Sequence, residues 1–211
     1  GNGSFSGQIL GFGMLHKVGT GELHLTGSNN YTGGTVIHEG GLRGDTDSLH
    51  GNIDTGLSAS NNLIFDQDSN GTFAGSVSGD GRLIKDGTGE VYLAGTTSHT
   101  GGTHILGGTL SGTTDNLRDF IVVYDNGRLE FDQDSNGSFD GELRGTGSLI
   151  KDGTGAVTLT GDASNFTGQT DILAGVLAVN GSLGGNITVS SGALKGTGTF
   201  GNVTTGQGGT F

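Results

Sequence analysis

The 211-residue sequence contains no Cys, Pro or Trp and a single Met. Without Cys the chain has neither disulfide nor thiolate chemistry. Basic residues are also scarce: nine Lys and Arg, spread singly, stand against 21 Asp and Glu, which gives a net charge of −12. Nucleic-acid binding needs clustered Lys and Arg that neutralise phosphates, and an anionic membrane surface would repel this chain. We therefore expect no nucleic acid among its partners and no direct membrane insertion.

Long apolar segments are absent as well. No run approaches the ~20 apolar residues that a membrane-spanning helix needs. The chain opens with Gly1-Asn2-Gly3, which differs from the charged and then apolar start of a signal peptide. We expect the sequence to be a segment excised from a longer chain.

Glycine is the most prominent feature of the composition, with 47 residues. A collagen helix requires Gly at every third position together with abundant Pro, and neither is present. Val, Ile, Leu and Thr recur at regular intervals, which indicates an ordered chain. Gly, Thr, Ser and Asn between short apolar stretches predict many turns, short strands and little helix.

The sequence repeats itself. Three closely similar segments begin at Leu15, Leu83 and Leu149, and they cover 15–42, 83–110 and 149–177. We predict one domain over 1–211 with repeat units of approximately 1–68, 69–134 and 135–211. Three coils of roughly 22 residues would account for each unit, a length typical of β-solenoids.

Alternating side chains within the repeat predict strands with one inward face. Aliphatic residues bracket a variable position in Leu23-His24-Leu25, Val91-Tyr92-Leu93 and Val157-Thr158-Leu159. In a strand, alternate residues face the same side. The period is too long for a β-propeller blade, and a β-sandwich would not repeat with this fidelity. The predicted fold class is all-β: a right-handed parallel β-helix, or β-solenoid, with about three sequence repeats.

The motifs G-T-G-x-L-x-L-T-G, Y-T-G-G-T-x-I and G-G-x-L are clearest at Gly19–Leu42, Gly87–Leu110 and Gly153–Leu177. They resemble the autotransporter-associated β-strand repeats in passenger domains of Gram-negative type V secretion systems. The tail at 178–205 is similar to the last coils of such passengers. The resemblance implies a β-helix displayed outside the outer membrane, and it is specific for fold and secretion route rather than for activity.

The doubled D-Q-D-S-N-G segment is the sharpest candidate for a binding site. Asp, Asp and Asn at positions 1, 3 and 5 with Gly at 6 match the first half of an EF-hand calcium loop. At position 12, where that loop has Glu, Val77 and Leu143 stand instead. The alternative is a polar turn whose Asp and Asn side chains bond their own backbone. We expect no cofactor. Calcium is the one ligand for which these segments are candidates. The candidate calcium ligands are Asp66, Asp68, Asn70, Asp132, Asp134 and Asn136.

Other residue patterns give no consistent catalytic or metal-binding set. The six His residues lack the i, i+4 helical spacing of a metalloprotease. Asp86 and Asp152 could form part of a carbohydrate-hydrolase pair, but Val18 occupies the equivalent position in the first unit. The glycines of the G-T-G segments predict tight corners between the strands of the coil, because glycine adopts backbone angles that strain other residues. A further equivalent position carries an aromatic or imidazole ring in every unit, and an exposed row of such rings could hold a glycan. Its residues are Tyr31, His99 and Phe166.

These observations predict a structural, adhesive protein at the bacterial surface or outside the cell, without enzymatic activity. The first hypothesis is self-association, aggregation or biofilm formation through a polar outer face, with weak contacts multiplied over many copies. The second is binding to a host protein or glycan, with the loops Arg43–Asn62 and Thr113–Arg128 as the contact surface. A carbohydrate-active enzyme is the least favoured interpretation.

Overall fold

The structure, a computed structural model, describes all 211 residues and consists of short strands joined by tight corners. The chain divides into two compact units, Gly1–His104 and Ile105–Phe211. No helix in it is long and apolar enough to cross a membrane.

The first unit stacks its strands in parallel sheets. β1, β4, β7, β9 and β12 lie side by side in one sheet, β3, β6, β8 and β11 in a second, and the pairs β2–β5 and β10–β13 complete the coils. The strands of this unit are β1 (Gly3–Phe5), β2 (Leu10–Gly11), β3 (Leu15–Lys17), β4 (Glu22–Leu25), β5 (Asn30–Tyr31), β6 (Thr35–Ile37), β7 (Gly41–Gly44), β8 (Ile53–Asp54), β9 (Asn62–Asp66), β10 (Gly71–Phe73), β11 (Val77–Ser78), β12 (Arg82–Asp86) and β13 (Glu90–Leu93).

The second unit is built in the same way. β15, β18, β21, β24 and β27 share one sheet, β16, β19, β22 and β25 share another, and β20, β23 and β26 form a third. Strand β14 (Thr103–Gly112) begins in the first unit and continues into the second. The others are β15 (Ile121–Asp132), β16 (Gly137–Phe139), β17 (Leu143–Gly145), β18 (Ser148–Asp152), β19 (Ala156–Leu159), β20 (Asp162–Ala163), β21 (Gln169–Ile172), β22 (Val176–Val179), β23 (Ser182–Leu183), β24 (Asn186–Val189), β25 (Ala193–Lys195), β26 (Thr199–Phe200) and β27 (Val203–Thr205).

The predicted fold class is confirmed: the chain is all-β, with parallel coils stacked as a β-solenoid. The predicted inward face is also confirmed. Val91 and Leu93 are buried while Tyr92 between them is half-buried. Phe5 differs from its counterparts in the next two repeats, Phe73 and Phe139, which are buried. It is 42% exposed because it belongs to the first coil, which is covered on one side only.

The coil is shorter than the sequence predicted. In the first unit Gly3 pairs with Leu23 on the next coil, and Leu23 pairs with Leu42 on the coil after that. Three such coils do not reach from Leu15 to Leu83, so the repeat is longer than three coils.

Because of this extra length, the second repeat begins on a different side of the coil from the first. Leu15 is followed along its own sheet by Thr35, Ile53 and Val77, after which Leu83 begins the next side of the coil. Leu15 and Leu83 therefore open equivalent repeats on different sheets of the first unit. The repeat is therefore longer than the predicted three coils. From the start of the first repeat to the start of the second, the chain passes through three coils and one further side.

Two glycines at each G-T-G corner have separate roles. The first has a positive φ: 78° at Gly19, 77° at Gly87 and 75° at Gly153. This left-handed conformation strains other L-residues. The second glycine lies against the preceding coil, because a Cβ on Gly89 would come within 2.5 Å of the Ser69 carbonyl oxygen. The corner therefore needs glycine once for its backbone angle and once for close stacking of coils.

Candidate functional site

The two D-Q-D-S-N-G segments form corners that connect three successive coils. The Gln of each segment is buried, at 3% exposure for Gln67 and 2% for Gln133. Its Oε1 accepts a hydrogen bond of 2.8 Å from the backbone N–H of the coil before: Thr46 for Gln67 and Thr114 for Gln133. Since a buried N–H without a partner is costly, the Gln holds the preceding corner in place.

The acidic and amide side chains of the same corners bond the coil that follows. Asp68 Oδ1 accepts from the Thr88 backbone N–H at 3.1 Å, and Asn70 Oδ1 accepts from the Glu90 N–H, also at 3.1 Å. Neighbouring coils in a parallel solenoid leave such donors at the corners, where the strands no longer pair. The side chains supply the missing acceptors.

The second corner repeats these bonds. Asp134 Oδ1 accepts from the Thr154 N–H at 3.0 Å, and Asn136 Oδ1 accepts from the Ala156 N–H at 3.0 Å. The bond from the Thr154 backbone, with a second from its hydroxyl, lowers the pKa of Asp134 below its ordinary value. In both corners these side chains bond backbone N–H groups, but those of the following coil and not those of their own turn, which was the predicted alternative to calcium binding.

The first Asp of each corner differs between the two copies. Asp66 pairs with Arg43, whose Nη1 lies 3.1 Å from Asp66 Oδ2, and the same guanidinium also contacts Glu22 and Asp86. In the second copy, Asp132 is in register with Asp152 on the neighbouring strand. Ser111 occupies the position equivalent to Arg43. The second copy therefore lacks that guanidinium.

Side chains of His, Cys, Asp and Glu do not assemble in threes into a group that could hold a metal ion. The candidate calcium ligands lie at the corners as predicted, but one oxygen of each of Asp68, Asn70, Asp134 and Asn136 is already bonded to a backbone N–H. Calcium binding at these corners stays a prediction, and only the second copy offers two carboxylates in register without the arginine.

The three equivalent rings do not form the exposed row that would hold a glycan. Tyr31 is 2% exposed, His99 5% and Phe166 0%, because their side chains point into the coil. Tyr31 Oη lies 2.8 Å from Thr35 Oγ1, and His99 Nε2 lies 3.0 Å from Thr103 Oγ1. These rings contribute to the core.

The structure brings together two His residues that the sequence did not connect. His16 and His38 are far apart in the sequence, yet His16 Nδ1 lies 3.0 Å from His38 Nε2 on the exposed side of the coil. Their rings stack with centroids 5.3 Å apart and planes inclined by 15°.

The structure also buries three lysines, although lysine usually lies at the surface. Lys17, Lys85 and Lys151 occupy the same place in each repeat and are 5%, 0% and 0% exposed. Each Nζ donates to main-chain carbonyls at the G-T-G corner: Lys17 to Gly19 O at 2.7 Å and Lys151 to Gly153 O at 2.8 Å. Lys85 donates to Asp86 O at 2.5 Å and to Gly87 O at 3.2 Å.

The ammonium groups fill corners in which backbone carbonyls converge. Burial lowers the pKa of all three lysines from the ordinary value, and the carboxylates nearby partly oppose this, Asp86 for Lys85 and Asp152 for Lys151. Lys85 and Lys151 are among the largest fully buried side chains of the chain. Their role is to satisfy the corner carbonyls, which would otherwise be buried without donors.

Comparison with known proteins identifies the repeat. Residues 15–43, 83–111 and 149–179 match the passenger-associated-transport-repeat family. The chain is 36% identical over 174 residues to a protein named adhesin BmaC autotransporter, from Brucella suis biovar 1. It is 29% identical over 200 residues to an uncharacterized lipoprotein, YdeK, from Escherichia coli K12. No solved structure matches the chain significantly.

These relatives are much longer than the chain. The matches cover 82% and 83% of the chain, but the chain spans only 4% of the adhesin's length and 15% of the lipoprotein's. The stacked parallel coils and the three repeats define a segment of a β-solenoid passenger domain, located at the cell surface or outside the cell. The chain belongs to the autotransporter passengers that carry passenger-associated transport repeats.

Proposed function

We propose that this passenger segment acts in adhesion, through self-association that leads to aggregation or biofilm formation. The observation that carries the proposal is the regular polar outer face of the coils, together with 36% identity to an autotransporter adhesin. Exposed Thr, Ser, Asn and Asp side chains recur on successive coils, as at Asp68 and Thr88 or at Asp134 and Thr154. A contact that is weak in one molecule becomes strong when many copies face each other on two cells.

A second candidate function is binding to a host-cell protein or glycan. Leu57, in the predicted contact loop Arg43–Asn62, is 92% exposed. It lines a surface hollow together with His38, Glu39 and Ser58. An almost fully exposed leucine beside a polar hollow makes Leu57 the candidate contact residue for such a partner.

Catalysis is the least supported function. Asp86 and Asp66 lie in register on neighbouring strands, but both contact the guanidinium of Arg43. An acid and a base for hydrolysis need distinct surroundings. Asp66 and Asp86 are instead held by the same arginine, so we expect no enzymatic activity from this pair.

A bead assay tests the first function against the second. Beads coated with the purified chain are mixed with each other and with host cells, in the presence of calcium and in the presence of a chelator. Self-association predicts that the beads clump with each other, whereas albumin-coated beads do not. Beads that bind host cells without clumping would instead support the second function, and Leu57→Asp should then reduce that binding. Beads that do neither would contradict both.

A further inference from the structure

The stacked pair His16 and His38 is placed by strand register. In the pairing of β3 with β6, His16 is opposite Val36, and His38 follows two residues later on the same outward side. Diagonal neighbours of this kind have Cβ atoms about 7–8 Å apart, within reach of two imidazole rings. Both side chains are exposed, so they can rotate and meet a ligand from solvent.

The distance between the two ring nitrogens fits a metal ion. A tetrahedral zinc ion bound at Zn–N distances of about 2.0–2.1 Å separates two nitrogen ligands by about 3.3 Å. His16 Nδ1 and His38 Nε2 are 3.0 Å apart in a hydrogen bond that one ring N–H donates. A metal ion would replace this hydrogen bond, and the exposed rings would turn so that both nitrogens face the ion. Imidazole nitrogen suits zinc, copper and nickel, and the net charge of −12 favours the approach of a cation.

The other repeats show that both residues have changed together. The positions equivalent to His16 and His38 hold Ile84 and Leu106 in the second repeat, and Ile150 and Leu173 in the third. Ile150 and Leu173 are related by the same diagonal register, since Ile150 pairs with Asp171. An apolar pair therefore meets the packing needs of this position. Only the first repeat lacks this apolar pair, and it has His at both positions.

We propose that His16 and His38 form a two-histidine site for a divalent transition-metal ion, with zinc as the probe. The two imidazoles supply two of the four ligands that zinc prefers. The remaining positions face solvent and are open to water or to a group from outside the chain. Because the site lies on the outer side of the coil, metal binding requires no rearrangement of the core.

The test uses the repeats themselves as the source of a control. In the double variant H16I/H38L the pair becomes the one found in the second and third repeats, so the coil should fold as before. Calorimetric titration of the untagged chain with zinc chloride should show one ion bound per chain. The double variant should lose this binding, and H24Q, at a histidine outside the pair, should keep it.

The proposal also predicts the effect of removing a single ligand. H16Q and H38Q should each weaken zinc binding by about tenfold or more. Loss of a group that only orients a metal ligand already weakens binding by about tenfold, and each of these substitutions removes a ligand itself. Circular dichroism melting checks that every variant is folded. If the double variant does not fold, zinc binding by the two single variants tests the proposal. The proposal is overturned if the wild-type chain takes up no zinc, or if variants and wild type bind it equally.

Discussion

Tyr31 Oη and Thr35 Oγ1 share a buried hydrogen bond of 2.8 Å, whereas the equivalent pair in the third repeat, Phe166 and Thr170, has none. Phenylalanine has no polar atom to offer, and Thr170 Oγ1 is buried without a hydrogen-bond partner. The same position is therefore satisfied in one repeat and unsatisfied in another.

This difference predicts opposite effects of one substitution. Thr35→Val removes a buried hydrogen bond and should lower the free energy of unfolding by about 1 kcal/mol. Thr170→Val removes an unsatisfied hydroxyl and should raise it by about 1 kcal/mol, since a buried orphan group costs about 1–3 kcal/mol. Urea unfolding of both variants measures the difference. Equal losses in the two variants would show that Thr170 has a bonding partner in solution.

The corner carboxylates provide a prediction that separates backbone bonding from calcium binding. Asp134→Ala removes the acceptor for the Thr154 N–H and should lower the melting temperature of the chain, as the loss of a helix cap does. The neighbouring exposed substitution Ser135→Ala serves as the control and should leave the melting temperature unchanged. Melting curves in calcium and in chelator should give the same loss. A loss that appears only in calcium would place the ion at this corner.

The buried lysines predict a specific dependence of stability on pH. Because burial lowers the pKa of Lys151 in the folded chain, the unfolded chain binds the proton more tightly. The contribution of Lys151 to stability should therefore rise as the pH increases through the alkaline range towards its ordinary pKa of 10.5. The measurement compares wild type with Lys151→Met by urea unfolding across this range. A difference that is constant or falls with pH contradicts the prediction.

Asp162 predicts a titration that can be observed directly. Hydrogen bonds from Ser164 and Ser182 lower the pKa of Asp162 to about 2. The carboxylate should thus favour the folded state above its ordinary pKa of 3.8, and this contribution should be lost as the pH falls towards 2. Carbon-detected NMR titration gives the midpoint. Ser182→Ala should move it upwards, whereas Ser98→Ala, at an exposed serine that does not bond Asp162, should not.

The strands and their inward faces could be predicted because both depend on neighbouring residues. Val91 and Leu93 share a side of their strand as a direct result of the two-residue period, and the glycines of G-T-G indicate corners by their conformational freedom. The coil length could not be derived in this way. It depends on how many residues each corner uses, and that number is set by stacking against the coils on either side.

The polar contacts were harder to predict for the same reason. His16 and His38 meet only because His16 is in register with Val36, which no local pattern reveals. Lysine is rarely buried, so its presence in the chain points to the surface. A signal was nevertheless available. Lys17 stands two residues after the inward-facing Leu15, and the same spacing recurs at Lys85 and Lys151.

The burial of three lysines governs how the protein can be attached to a support. The chain has four lysines, and only Lys195 is exposed. Reagents that couple to amines will therefore react with Lys195 and with the amino group of Gly1, and will leave the corners that hold the other three intact. Beads prepared by this chemistry hold the chain at Lys195 or at Gly1 and leave its other exposed side chains free to meet a partner.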